Sequence, residues 1–199
     1  MMELYFAAAS PFVRKVMVVL HETGQIDDVT IVQSVQTPLS PNPANRNPLA
    51  KIPCLTRPDG PALYDSRVIC RYLAHRAGAD LYPEPRLWET LTIEATADGI
   101  MDAAVLMVYE SRVRPEDRRF PDYVEAQWGK ITAALDALEE RWMSNLSGPL
   151  DMGQIAVGCA LPYLDFRHGG RNWRTGRDAL AAWESRFAER PSMSLSQPS

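Results

Sequence analysis

A change of hydrophobic period near residue 80 splits this 199-residue sequence into two parts that require different architectures. Before it, short apolar runs alternate with helical spacing; after it, strand-like runs cease. Leu4-Tyr5-Phe6 reads as a strand, and Phe12, Val13, Val16, Met17 and Leu20 then recur at helical intervals until Gly24. Residues 29–32 supply a β-branched second strand, and a helical crossover between two strands favours a parallel βαβ unit. Residues 34–48 carry Pro38, Pro41, Pro43 and Pro48 among Asn42, Asn45 and Asn47, which excludes a long helix or a central strand. Two antiparallel strands are expected over 54–57 and 62–64, joined by Pro58-Asp59-Gly60-Pro61. Asp65 or Ser66 then caps a helix carrying Val68, Ile69, Tyr72 and Leu73 that ends near Gly78.

Tyr82-Pro83-Glu84-Pro85 is a stiff linker, and residues 87–113 read as one long helix. Trp128, Ile131, Leu135, Leu138 and Trp142 lie on one face of the next helix, which should pack antiparallel to it. Asp151-Met152-Gly153-Gln154 has the form of a capping box, with Leu150 and Ile155 as its hydrophobic staple. The helix it opens is apolar nearly all round, so it should be buried, with a kink at Pro162. A last amphipathic helix is expected over 178–189, followed by a polar, mobile tail from Pro191. The expectation is an α/β domain over 1–79 with a mixed sheet in βαβ-ββα order, and an all-helical bundle over 86–199.

With 46% hydrophobic and 23% charged residues the chain can bury a core, and a formal charge of −4 argues against binding nucleic acid. Cys54, Cys70 and Cys159 are an odd, widely spaced set without metal-ligand spacing, so no metal and a reducing, cytoplasmic setting are expected. Ala7-Ala8-Ala9 does not make a signal-peptide cleavage site, because Glu3 precedes it and the basic residues follow it. No apolar run reaches membrane-spanning length.

Three places could carry chemistry, and each is also an ordinary structural device. Ser10-Pro11, where the first strand hands over to the first helix, is a good N-cap with proline at the first helical position. A hydroxyl at the positive end of a helix dipole is equally suited to stabilising a thiolate, and Arg14 could add charge one turn on. Ile52-Pro53 precedes a strand; a cis proline there would turn backbone groups outward to pair with a peptide as an added strand. At Asp65-Ser66 a helix start could take an α-carboxylate while Asp65 receives an α-ammonium. Glu94, Asp98 and Asp102 stack like charges on one helix face, which reads as a solvated acidic face or as one met by cations.

The stretches Ser10-Pro11-Phe12-Val13-Arg14-Lys15-Val16, Asn47-Pro48-Leu49-Ala50-Lys51-Ile52-Pro53 and Asp65-Ser66 resemble the signatures of cytosolic glutathione transferases. The likeness is nearest to bacterial members beginning Ser-Pro-Phe, and it continues through residues 97–103 and 155–161. The resemblance implies a thioredoxin-like glutathione domain, a helical domain, glutathione as co-substrate, a small electrophile as second substrate, and a homodimer. It implies that Ser10 hydrogen-bonds the glutathione sulfur, Ile52 pairs with the cysteinyl backbone, Pro53 is the cis proline, and Asp65 with Ser66 holds the γ-glutamyl group. Lys51 would meet the glycyl carboxylate, and Asp98 would approach the γ-glutamyl ammonium of a partner subunit, facing Arg67 and Arg71. Phe12, Tyr109 and Arg112 are candidates to line the electrophile pocket. Ala50 stands where the family more usually has Gly, and Asp65 where it has Glu. The alternatives are a non-catalytic glutathione-binding module and, ranked last because Ser10 is not Cys, a glutathione-dependent thiol oxidoreductase.

Overall fold

The computed structural model describes residues 1–34, 37 and 39–198; the expectation for Pro38 lies outside the described residues. The chain divides into two compact units, one formed by Met1–Pro83 with Pro191–Ser199 and the other by Glu84–Arg190. The final segment therefore belongs with the first unit, whereas the sequence reading ran the helical domain to residue 199.

In the first unit the order is β1 (Met2–Phe6), α1 (Pro11–Glu22), β2 (Val29–Gln33), β3 (Cys54–Arg57), β4 (Gly60–Leu63) and α2 (Ser66–Ala77). The sheet runs β2-β1-β3-β4. β1 pairs in parallel with β2, Leu4 opposite Ile31, and antiparallel with β3, Leu4 opposite Leu55. Leu4 and Leu55 are fully buried, as are Val13, Val16 and Leu20 of α1 and Ile69 and Leu73 of α2. The hairpin is tighter than expected: Arg57 pairs with Gly60, leaving Pro58-Asp59 as its turn, so β4 begins two residues earlier than the 62–64 reading. Pro61 is tolerated because β4 is an edge strand that need not donate there.

The tail is not free. Pro191–Leu195 form a short helix, α8 in the numbering below, packed on α1, with Met193 and Ser192 buried. Arg14 Nη2 donates to the Met193 carbonyl (3.1 Å), and the Ser192 hydroxyl donates to Glu22.

In the second unit α3 (Leu87–Arg112), α4 (Pro121–Ala137), α5 (Met143–Leu146), α6 (Met152–His168) and α7 (Asp178–Phe187) precede α8. A π-helical stretch, Leu138–Trp142, joins α4 to α5. α3 packs against both α4 and α6, and α6 is buried from Met152 to Leu161. Asp151 caps α6 by accepting from the Gln154 amide at 3.2 Å. The return half of the expected capping box is not made. Gln154 Nε2 donates instead to the carbonyls of Asn145, Gly148 and Pro149, tying down the chain that enters the helix. Glu110 closes the α3–α4 connection by accepting from the Phe120 amide (2.9 Å) and Arg114 Nε (2.7 Å). Among the described residues no helix is long and apolar enough to cross a membrane.

Candidate functional site

The register of the sheet determines which loops share an end. β1 runs toward Phe6 with Tyr5 opposite Cys54, so the exit from β1 lies beside the entry to β3. Because β4 is antiparallel to β3, with Leu63 opposite Leu55, its exit into α2 lies at that end too. Ser10, Ile52-Pro53 and Asp65-Ser66 therefore converge on one end of the sheet, as the sequence reading requires.

At the start of α1, Ser10 is extended (φ −87°, ψ 121°) and its Oγ accepts from the Val13 amide at 3.3 Å. A hydroxyl that accepts through its lone pair keeps its own hydrogen to donate. Ser10 is half-buried, so that donor remains reachable from solvent. Arg14 is buried rather than solvated. It is 6% exposed, and among the described residues its Nε and Nη1 are buried without a hydrogen-bond partner, one turn behind Ser10.

The Ile52–Pro53 bond is cis, as the resemblance implied. Among the described residues neither backbone group of Ile52 takes a hydrogen bond, although Pro53 and Cys54 on either side of the strand entry are buried. The loop before it is knit by asparagines whose role the sequence reading missed. Asn45 and Asn47 both donate to the Lys51 carbonyl at 3.0 Å. Asn47 also accepts from the Leu49 amide and Asn45 from the Asn47 amide, an Asx pattern that the closely spaced Asn residues could have signalled. Ala50 sits at φ 52°, the left-handed region where glycine is easier, which explains the more usual Gly. The Lys51 side chain is exposed.

Asp65 is the N-cap of α2, accepting from the Arg67 amide at 3.0 Å, and its side chain stays 59% exposed. Ser66 is 2% exposed, so of the pair only Asp65 presents its side chain to solvent. Phe12 is half-buried in the first turn of α1. All three cysteines are buried and outside any disulfide, and burial pushes the Cys54 thiol up against the backbone N–H groups of Arg46 and Asn47 that pull it down.

The remaining candidates lie in the helical unit. Glu94 and Asp98 are 1% and 2% exposed, so the solvated acidic face fails for both; only Asp102 is exposed. Within the chain Arg67 lies 3.6 Å from Asp65 and Arg71 lies over the Tyr82 ring. Tyr109 and Arg112 are exposed near the end of α3.

Residues 9–76 match the family model described as glutathione S-transferase, N-terminal domain, and residues 121–186 match glutathione S-transferase, C-terminal domain. The chain belongs to the glutathione S-transferase family. Its structure is similar to a glutathione transferase family member from Pseudomonas fluorescens Pf-5 with bound glutathione, at 43% identity and TM-score 0.97 over 100% of both chains. It is also similar to a glutathione S-transferase from Methylobacillus flagellatus with glutathione bound, at 36% identity and TM-score 0.89, again over 100% of both. The uncharacterized GST-like protein YibF of Escherichia coli K12 is 32% identical over 99% of this chain and 98% of its own length. Within this family the four-stranded mixed sheet and its helices are the thioredoxin-like part and Glu84–Arg190 the helical part.

Proposed function

We propose that the protein is a glutathione S-transferase that binds glutathione at the Ser10 end of its sheet, ionises the thiol, and directs the sulfur at a small electrophile. The observation that carries this reading is the convergence of three complementary groups on that end: a donor hydroxyl at a helix start, an unclaimed backbone pair at Ile52, and an exposed carboxylate at Asp65. They match a thiol, a central peptide unit and an α-ammonium, the parts of γ-Glu-Cys-Gly. The relatives in complex with glutathione support the same ligand. Lys51 would meet the glycyl carboxylate, and Ser66 would serve mainly by opening α2. The reading includes a cytoplasmic homodimer and places Phe12, Tyr109 and Arg112 toward the electrophile.

Catalysis would come from thiol ionisation and proximity. A hydrogen bond to a charged group is worth about 1.5–3 kcal/mol, so losing the Ser10 hydroxyl should raise the bound thiol pKa by about 1–2 units. The test pairs isothermal titration of glutathione with thiolate absorbance against pH, on wild type and Ser10→Ala. The expected result is a thiol pKa below the ordinary value near 8.5 in wild type, its return in the variant, and conjugation slowed about 10–100-fold. Binding with an unshifted thiol would instead indicate a glutathione-binding module without transferase activity.

A further inference from the structure

The asparagines of the loop before β3 act together on one peptide unit. Asn45 Nδ2 and Asn47 Nδ2 each donate to the Lys51 carbonyl at 3.0 Å, so both lone pairs of that oxygen are held. Neither amide is free to swing away. Asn47 Oδ1 accepts from the Leu49 amide at 2.9 Å, the Asn47 carbonyl accepts from the Ala50 amide at 2.9 Å, and Asn45 Oδ1 accepts from the Asn47 amide at 3.0 Å. The group is moored to the sheet as well. The Asn45 amide donates to the Asn42 carbonyl (3.1 Å), Asn42 Nδ2 to the Ser34 hydroxyl (3.1 Å), and the Ser34 amide to the Phe6 carbonyl (2.8 Å) at the end of β1. Asn47 is 5% exposed, so its bonds are shielded from water. The Lys51–Ile52 peptide is trans, and a planar trans peptide points its C=O and N–H in opposite directions. A carbonyl held into the loop therefore turns the Ile52 N–H out of it, and among the described residues that N–H meets no acceptor.

We propose that Asn45 and Asn47 are positioning residues for glutathione: by clamping the Lys51 carbonyl they hold the Ile52 N–H ready to donate to the cysteinyl carbonyl of the tripeptide. They act through the Ile52 backbone. An N–H oriented before the ligand arrives needs no ordering at binding, so the clamp acts on affinity and leaves the sulfur alone. The amide is required at both places, since a carboxylate in either would set oxygen against the Lys51 oxygen. The Asx turns alone would keep the loop folded; two side-chain donors on the one carbonyl that shares a peptide with the Ile52 N–H do more than that.

This rests on glutathione binding at the Ser10 end of the sheet, and the test separates the clamp from the transferase reading. The probes are S-methylglutathione, whose sulfur cannot ionise, and its thioamide analogue, in which the cysteinyl C=O is C=S and a weaker acceptor. By isothermal titration wild type should bind the carbonyl ligand more tightly by about 5-fold or more. Asn45→Ala, at a partly exposed position, should weaken S-methylglutathione about 3–10-fold and bring that ratio to about 3. Asn47→Ser keeps an acceptor for the Leu49 amide but is too short to reach Lys51, and it should do the same. Together the two substitutions should weaken binding about 10–100-fold and bring the ratio below about 2. Asn45→Ala alone carries the test should the pair fail to fold. With glutathione itself at saturation, the thiol pKa should stay within about 0.3 and kcat within about 2-fold of wild type, so that the change falls on KM. Equal loss of both ligands, with the ratio kept, would mean that the asparagines only hold the loop together and would overturn the proposal. So would a wild type that is indifferent to the C=S change or binds neither ligand. A ratio that collapses in the variants, in a protein whose bound glutathione keeps an ordinary thiol pKa and conjugates no electrophile, would sustain the clamp and sink the transferase reading.

Discussion

Asp151 shows how much one side chain can hold in this molecule. It is 2% exposed and accepts from the Gln154 amide, the Thr90 hydroxyl (3.1 Å) and Arg86 Nη1 (3.3 Å), so the start of α6 is joined to α3 and to the segment before it. Removing it deletes an N-cap and strands a buried hydroxyl. Asp151→Ala should lower stability by about 2–4 kcal/mol, measured by urea unfolding, and Asp151→Asn by clearly less because the amide oxygen can still cap. An Ala variant as stable as wild type would show that the cap is dispensable. The first half of this arrangement was legible, since Asp three residues before Gln is a local signal. Thr90 and Arg86 lie more than 60 residues away and send none. The glutathione-side candidates follow the same rule. Ser10 and Asp65 could be read because each opens a helix, whereas the burial of Arg14, Ser66 and Asp98 depends on packing that no local pattern encodes.

Among the elements, the strands and long helices were legible because each carries its period in its own residues, as in Leu4-Tyr5-Phe6 and the Ile131, Leu135, Leu138 stripe. What escaped was how tightly elements approach. Gly158 lies inside the buried α6, and a Cβ there would sit 2.4 Å from Phe187 Cε1 of α7. Phe187 is itself 7% exposed and stacked on Trp183 at 4.8 Å between ring centroids, so its ring has a fixed seat. Alanine in a helix interior is favoured over glycine by about 1 kcal/mol, but overpacking costs about 1–3 kcal/mol, and with a confined ring the second effect wins. Gly158→Ala should destabilise by up to about 2 kcal/mol on these figures. In a Phe187→Leu background the same change should be neutral or stabilising. A double-mutant cycle in chemical denaturation checks this, and additive effects of the two substitutions would refute the close-packing account.

At the scale of the molecule, the assignment of Pro191–Ser199 to the first unit sets a condition on the glutathione side. The sequence reading left this tail mobile because Met193 is nearly its only apolar residue before Leu195, too few to show a period. Its order comes from α1: Met193 is 1% exposed, its carbonyl accepts from the Arg14 guanidinium, and Ser192 holds Glu22 at the far end of α1. The helix that presents Ser10 is thus covered by residues far from it in sequence. Ending the chain after Arg190 removes about 1.5–3 kcal/mol of methionine burial and the hydrogen bond from the Arg14 guanidinium to the Met193 carbonyl, for a total loss of about 2–4 kcal/mol. Hydrogen exchange should then show α1 amides losing protection about 30–1000-fold, since each 1.4 kcal/mol is a factor of ten, while α6 amides in the other unit keep theirs. Glutathione affinity should fall with α1 protection, because the hydroxyl at Ser10 is positioned only while that first turn is formed. Unchanged exchange in α1 would mean that the tail rests on the helix without holding it, and equal losses in α1 and α6 would mean that the two units open as one.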